Sequence, residues 1–248
     1  MDYLPLLGGL IGAVAVGVYI YRRARVAGET CDCTDRVDGK VVLVSGANCG
    51  IGRQVARELA LRGARVYLAC RSRTAARQAA DSIINETSNT SVRPLQLDLN
   101  SLASVRRLVH EFRQVESQLD ILINNAGCFY CPPSLTEDGF TVTFQTNYLG
   151  KDICVNSVDP GNVNTDIYRH YRELNTFHVR LLRRLLMRTP WEGAQTVIHC
   201  AVSSKIDGVT GQYFRDCTIA DANPLVRDRA LAQELWRTSE RWTGLSPL

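Results

Sequence analysis

The chain lacks a surplus of charge of either sign, a second long apolar run and any regular cysteine pattern, and each absence removes a class of function. Its 29 basic and 25 acidic side chains leave a formal charge of +4, of which Arg22, Arg23 and Arg25 against Asp2 place +2 in residues 1–25. The remainder is too weakly basic for a nucleic-acid footprint. Nine cysteines, an odd number at irregular spacing, sit in 248 residues, far more chain than a disulfide scaffold serves. Reduced thiols facing the cytosol are the expectation. With 45% hydrophobic and 22% charged residues and a mean hydropathy of -0.10, the composition describes one globular domain with a sizeable core. Disorder, collagen and a multi-span membrane protein are excluded.

Residues 4–21 (LPLLGGLIGAVAVGVYIY) contain no charge, and these 18 residues fall within the roughly 17 to 25 that a membrane-spanning helix needs. The rival reading is a cleaved signal peptide. Met1-Asp2 supplies no basic leader for it, and Ala13-Val14-Ala15 lies inside the apolar run rather than after it. Because Arg22, Arg23 and Arg25 follow the span, the positive-inside rule puts the main domain in the cytosol. Gly8 and Gly12 form a GxxxG pair that could pack against another helix. Two sequons, Asn85-Glu86-Thr87 and Asn89-Thr90-Ser91, would accept glycans only if that orientation were reversed. The expected organisation is an anchor with a basic flank over 1–25, a linker over 26–38 and one domain over 39–248.

Lys40-Val41-Val42-Leu43-Val44 reads as a buried strand, and Ile51, Val55 and Leu59 fall on one face of a helix that stops at Gly63. Between them stands Ser45-Gly46-Ala47-Asn48-Cys49-Gly50-Ile51-Gly52. Glycines there let the backbone approach a pyrophosphate, which the helix N–H groups and dipole favour. A second strand, Arg65–Cys70, ends at Arg71 with Arg73 close by, where an acidic residue would select NAD and an arginine suits the 2′-phosphate of NADP. A third strand, Val92 to Leu97, ends at Asp98. The helix capped by Ser101 should turn Ala103, Val105, Leu108, Val109 and Phe112 inward. Ile121-Leu122-Ile123 is the fourth strand, followed by Asn124-Asn125-Ala126-Gly127. This alternation implies an α/β fold with a doubly wound parallel sheet.

The spacing Gly46-xxx-Gly50-x-Gly52, with Asp98 and Asn124-Asn125-Ala126-Gly127 following in order, resembles the short-chain dehydrogenase/reductase family, and most of all its membrane-anchored retinol dehydrogenases. Supporting stretches include Thr146–Gly150, Val155–Gly161, Pro190–Thr196, Gly208–Phe214 and Leu235-Trp236. The resemblance implies a Rossmann-like fold, NADP as cofactor, and hydride transfer on retinol, retinal or related lipid alcohols and aldehydes, with the main domain on the cytosolic side of the endoplasmic reticulum. Carried over by position, Gly46, Asn48, Gly50, Ile51, Gly52, Arg71, Asp98, Asn125, Ala126, Gly127, Pro160 and Thr165 would contact NADP. Asn147 would be the first member of an Asn-Ser-Tyr-Lys catalytic set.

The rest of that set is missing. The lysines are Lys40, Lys151 and Lys205, preceded four residues earlier by Arg36, Asn147 and Ala201, so no Tyr-x-x-x-Lys exists. Tyr148 and Lys151 are one step short of the interval. Tyr168 and Arg172 have the interval, but arginine stays protonated and the pair follows Pro160-Gly161. Between Asn147 and Pro160 there is room for one strand, Ile153 to Val158, and no crossover helix, whereas a βαβ unit takes about 30 residues or more. About one strand-helix unit is therefore absent, with the junction near Gly150-Lys151-Asp152. If the sheet closed over the loss, Ile153–Val158 would pair with Ile121–Ile123 through a crossover at Phe140–Gly150. Three functional readings stand: a catalytically deficient variant, an active enzyme using other residues, and a membrane-tethered module that binds cofactor or partners without catalysis.

Arg180, Arg183, Arg184 and Arg188 among Leu181, Leu182, Leu185, Leu186 and Met187 fit either a helix lying on a membrane or a lid helix packed on the domain. Cys31-Asp32-Cys33 and Cys128-Phe129-Tyr130-Cys131 imitate metal half-sites, but no second half follows at ligand spacing, and His110, His170, His178 and His199 form no cluster in sequence. No metal is expected. Cys49, at a helix start, reads as a small tolerated residue more than as an activated thiol.

Overall fold

The computed structural model describes residues 13, 16–22, 24, 26–129, 131, 133–149, 156–169 and 176–244. Most of the expected anchor and the expected junction at Gly150-Lys151-Asp152 lie outside these residues. Among those described, no helix is long and apolar enough to cross a membrane.

Four parallel strands form the main sheet in the order β3-β2-β1-β4: β1 (Val41–Ser45), β2 (Arg65–Cys70), β3 (Val92–Gln96) and β4 (Ile121–Ile123). Every residue of β1 is buried, as a central parallel strand covered on both faces must be. Pro94 cannot donate to a ladder and sits in β3, at the sheet's edge. Helix α1 (Gly50–Leu61) turns Val55, Ala56, Leu59 and Ala60 onto one face of the sheet, beside α2 (Arg73–Thr87). On the other face α3 (Leu102–Val115) is capped by Ser101, whose Oγ accepts from Ser104 N at 3.1 Å. It buries Leu102, Ser104, Leu108 and Phe112. Ala103 and Val109 are not inward as expected. Ser104 takes the buried place because its hydroxyl accepts from Asp98 N at 3.0 Å.

Val109 stays 43% exposed for a different reason. It borders a groove of about 380 Å³ lined by Leu43, Leu97, Leu108, Phe112, Leu119 and Leu122, an apolar part of the sheet face that α3 does not reach.

The expected closure of the sheet does not occur. Among the described residues Ser157–Asp159 forms β5, which pairs not with β4 but in parallel with β6 (Tyr213–Arg215), itself antiparallel to β7 (Thr218–Ile219). Side chains fix that choice. Asn156 Nδ2 donates to the Val209 carbonyl at 2.9 Å and its Oδ1 accepts from Gln212 N at 3.0 Å, while Asp159 Oδ2 accepts from Tyr213 Oη at 3.0 Å and Arg215 Nε at 2.9 Å. Moving β5 beside β4 would forfeit all four bonds, and the outer edge of β4 has no strand partner among the described residues. The intended crossover is short: Val142–Phe144 runs into a wide π-type turn, Gln145–Leu149.

The carboxy-terminal elements are α4 (Phe177–Leu186), α5 (Pro190–Val202) and α6 (Arg229–Thr243). Helix α5 starts at a full capping box between Thr189 and Glu192 and packs against α1, where Gly193 has no Cβ to collide with Val163 Cγ2, 2.5 Å away. Helix α4 buries nothing: Phe177, Leu181, Leu182 and Leu186 are all at least 48% exposed.

Candidate functional site

The carboxyl ends of β1 and β4 are locked together, and a cleft opens above them. Past β1, Gly46 takes φ +67°, and a Cβ there would stand 2.8 Å from Ala126 Cα. Ser45 Oγ accepts from Ala126 N at 3.0 Å, and Asn125 Nδ2 donates to the carbonyls of Ser45 at 2.9 Å and Gly46 at 3.3 Å. Gly50, at φ +59°, begins α1 and faces Thr165 from the segment after β5. Cys49 precedes that helix in extended conformation and gives it no side-chain cap, and its first turn carries no acidic residue. The N–H groups at the helix start thus face a cleft of about 650 Å³ with no counter-charge of their own.

Ten of the residues singled out by sequence line this cleft: Gly46, Asn48, Gly50, Ile51, Arg71, Asp98, Asn125, Ala126, Gly127 and Thr165. Arg71 is exposed at the end of β2, and Asp98, past β3, accepts from Asn100 N at 3.0 Å. Three others do not line it. Gly52 is buried beneath the loop, where a Cβ would meet Asn125 Nδ2 at 2.3 Å. Pro160 offers its carbonyl to Arg188 Nη1 at 3.2 Å. Asn147 has both ends of its amide occupied by one residue, its Oδ1 accepting from Cys128 N at 2.8 Å and its Nδ2 donating to Cys128 O at 2.9 Å. It braces the irregular segment that follows Gly127.

Residues that sequence reasoning passed over also line the cleft: Asn100, Thr146, Asp166 and Arg169. Asp166 and Arg169 belong to the stretch that Thr165 begins, its hydroxyl accepting from Ile167 N at the start of the 3-10 turn Asp166–Tyr168. Burial first, and then the negative charge of Asp166, push the Cys49 thiol upward, so it is not an activated nucleophile. Tyr148 Oη is engaged with Ser239 Oγ at 2.9 Å, and the Tyr168 ring lies under the Arg183 guanidinium at 4.3 Å. Their sequence partners Lys151 and Arg172 lie outside the described residues. Among the described residues, no tyrosine and no lysine lines the cleft.

Residues 40–150 match a family model described as short chain dehydrogenase. Bovine retinol dehydrogenase 12 is 32% identical over 88% of this chain and 91% of its own length, and mouse retinol dehydrogenase 14 is 32% identical over 84% and 86%. Human dehydrogenase/reductase SDR family member 13 is 30% identical over 100% of this chain and 84% of its own. That alignment runs to 320 positions, about 72 more than the chain has residues. Among solved structures, an uncharacterised protein from Mycobacterium paratuberculosis superposes with a TM-score of 0.64 at 26% identity, covering 89% of this chain and 100% of the other.

Proposed function

The chain belongs to the short-chain dehydrogenase family, and from that premise we propose that it binds NADP in this cleft while turning over little or no substrate. One contrast carries the reading: the cleft holds a phosphate loop and Arg71, yet no tyrosine or lysine among the described residues lines it. The cradle suits the cofactor. Gly46 and Gly50 keep the wall free of side chains, and the uncapped start of α1 favours a diphosphate. Gly46, Asn48, Gly50 and Ile51 would hold that diphosphate, with Gly52 supporting them from below. Arg71 would meet the 2′-phosphate. Asp98, Asn125, Ala126, Gly127 and Thr165 would line the remainder, and Pro160 would set the backbone that presents Thr165.

Bound NADPH supplies a hydride to a carbonyl carbon. The carbonyl oxygen must then take a proton, and no tyrosine or lysine among the described residues lines the cleft to give it. Asn147 cannot substitute, because an amide does not titrate in this range and both its ends are occupied. The alignment surplus over the chain's own length supports the loss of an internal segment carrying the serine, tyrosine and lysine.

The substrate class by descent is a retinoid or related lipid alcohol or aldehyde, met at an endoplasmic reticulum membrane with the domain facing the cytosol. Two observations favour the membrane. The apolar side of α4 is unburied, and Arg22, on the flank of the expected anchor over residues 4–21, donates to the Arg184 carbonyl at 3.0 Å and pairs with Glu192 at 3.2 Å. The exit of the anchor and the exposed leucines would then face one surface. Purified full-length chain titrated with NADPH should change cofactor fluorescence saturably, and added retinal should not raise NADPH oxidation above a cofactor-only blank. Turnover above the blank would overturn the inactivity, and no saturable binding would overturn the whole reading.

A further inference from the structure

The 26–38 segment lies against α5 instead of standing clear of the domain. Arg188 Nε donates to the Val26 carbonyl at 2.8 Å, Cys31 N donates to Gln195 Oε1 at 3.2 Å, and Asp32 pairs with Lys205 at 3.1 Å. In extended chain alternate side chains point to opposite sides. Asp32 points outward, so Cys31 and Cys33 turn inward toward the last turn of α5. Cys33 is buried, and its Sγ lies 3.4 Å from His199 Nδ1. Cys31 Sγ completes a triangle in which the three atoms lie within 4.8 Å of one another, and neither cysteine is in a disulfide. None of the three lines the cofactor cleft.

We propose that Cys31, Cys33 and His199 bind a zinc-class divalent cation that clips the 26–38 segment to α5. The donor set decides the class: two sulfurs and an imidazole nitrogen suit zinc, whereas magnesium and calcium take oxygens. The spacing agrees. Bonds of about 2.3 Å to sulfur and 2.05 Å to nitrogen put neighbouring ligand atoms roughly 3.5 to 3.8 Å apart in a tetrahedron. The 3.4 Å edge is already there, and the others close by side-chain shifts on the order of 1 Å. Asp32 takes no part, since Lys205 holds its carboxylate on the outside. The fourth position falls to water, since no further histidine, cysteine or carboxylate joins the three within 4.8 Å among the described residues. Cys33 and His199 are 166 positions apart, so the ion would close a long loop and fix the segment leading from the membrane to the cofactor domain. Without an ion, the same contact is an S–H···N hydrogen bond in the core, and the experiment separates the two.

Full-length chain purified reduced and metal-free is loaded with Zn2+, or separately with Co2+, and passed through gel filtration. The expected result is about one Zn2+ retained per chain, and Co2+ spectra with thiolate charge-transfer bands and a four-coordinate pattern. Cys33→Ser and His199→Gln should each weaken binding at least about tenfold, while Cys131→Ser keeps the wild-type stoichiometry. If the buried variants fold poorly, Cys31→Ser at its half-buried position should give the same loss. In the wild-type chain Zn2+ should slow alkylation of Cys31 and Cys33 at least about tenfold. Retained Zn2+ below about 0.2 per chain with reduced thiols, unchanged binding in Cys31→Ser, a Cys31–Cys33 disulfide in the chain as isolated, or equal alkylation rates would each overturn the proposal.

Discussion

At Gly52 two physical effects act with opposite signs, and the structure says which wins. Its φ is outside the left-handed region, so alanine meets no backbone strain, and helix propensity alone makes Gly52→Ala stabilising by about 0.5–1 kcal/mol. Packing points the other way. The new Cβ would stand 2.3 Å from Asn125 Nδ2 and 2.7 Å from the Gly46 carbonyl oxygen. That amide is the donor to both Ser45 and Gly46, so it can retreat only by releasing them. Two lost bonds, with the half-buried carbonyls left partly unmet, cost about 2–4 kcal/mol together. The net is a destabilisation of about 1–3 kcal/mol, which lowers the urea midpoint of the full-length chain by about 0.5–1 M in far-UV circular dichroism. NADPH affinity should fall with it, because the displaced atoms form the loop that cradles the diphosphate. An unchanged or raised midpoint would refute the argument, since propensity would then outweigh the contact.

Arg71→Asp should weaken NADPH binding by about tenfold to a hundredfold, the worth of one charge-assisted contact, and leave NADH binding within about a factor of two; equal losses for both cofactors would remove Arg71 from the 2′-phosphate. Burial of Asp159 works to raise its carboxyl, but hydrogen bonds from Gly161 N, Tyr213 and Arg215 win and hold it below the ordinary 3.8. Its contribution is therefore complete above that value and lost as pH falls through the lower folded one, so Asp159→Asn should unfold with a flatter pH dependence below about pH 4, and an identical acid limb would count against the β5–β6 clasp. Asn89 Nδ2 caps the carbonyls of Ala60 and Ala64, both at 2.9 Å, whereas Asn85 is exposed. Asn89→Ala should cost about 1–3 kcal/mol in urea unfolding and Asn85→Gln almost nothing, and only Asn85 could show a glycosidase-sensitive mass if the domain were lumenal. Hydrogen exchange should find the amides of β4 at least about tenfold less protected than those of β1, because one flank of β4 has no strand partner among the described residues and Leu122 is 37% exposed; equal protection would mean that edge is covered.

The first four strands, α1 and α3 were legible because their signals are local: a buried apolar run, a glycine loop at a fixed offset, a Ser101 cap followed by helical periodicity; α2 was not anticipated. The ten cleft residues came from the family resemblance, and most of them stand at the strand ends and loops that those local signals place together. The partner of β5 was not legible. Thirteen steps from Asn147 to Pro160 suit either sheet, and the choice rests on Asn156 and Asp159 meeting residues 53 to 56 positions later. Val109 was misjudged through its surroundings: its helical phase is right for burial, but it borders an open groove that no element covers among the described residues. The second half of the Cys31-Asp32-Cys33 pattern was invisible because His199 lies 166 positions from Cys33, and only the return of the linker along α5 joins them.

The described contacts hold the two walls of the cleft from separate stretches of chain. One wall is the clasp of Ser45, Gly46, Asn125 and Ala126, made wholly within the β1–β4 pair. The other carries Thr165, and it is held from the carboxy-terminal side: Asn164 N donates to the Arg188 carbonyl, Arg188 N donates back to Asn162, and Arg183 reaches Asn164 Oδ1 at 2.7 Å. Helix α5 joins the walls by packing on α1 through Gly193. None of these contacts uses a tyrosine or a lysine, while the groove beside α3 stays open and the outer edge of β4 has no strand partner among the described residues. On the reading proposed above, a chain built this way keeps its cofactor cradle without a proton donor beside it, so binding and turnover should separate in experiment.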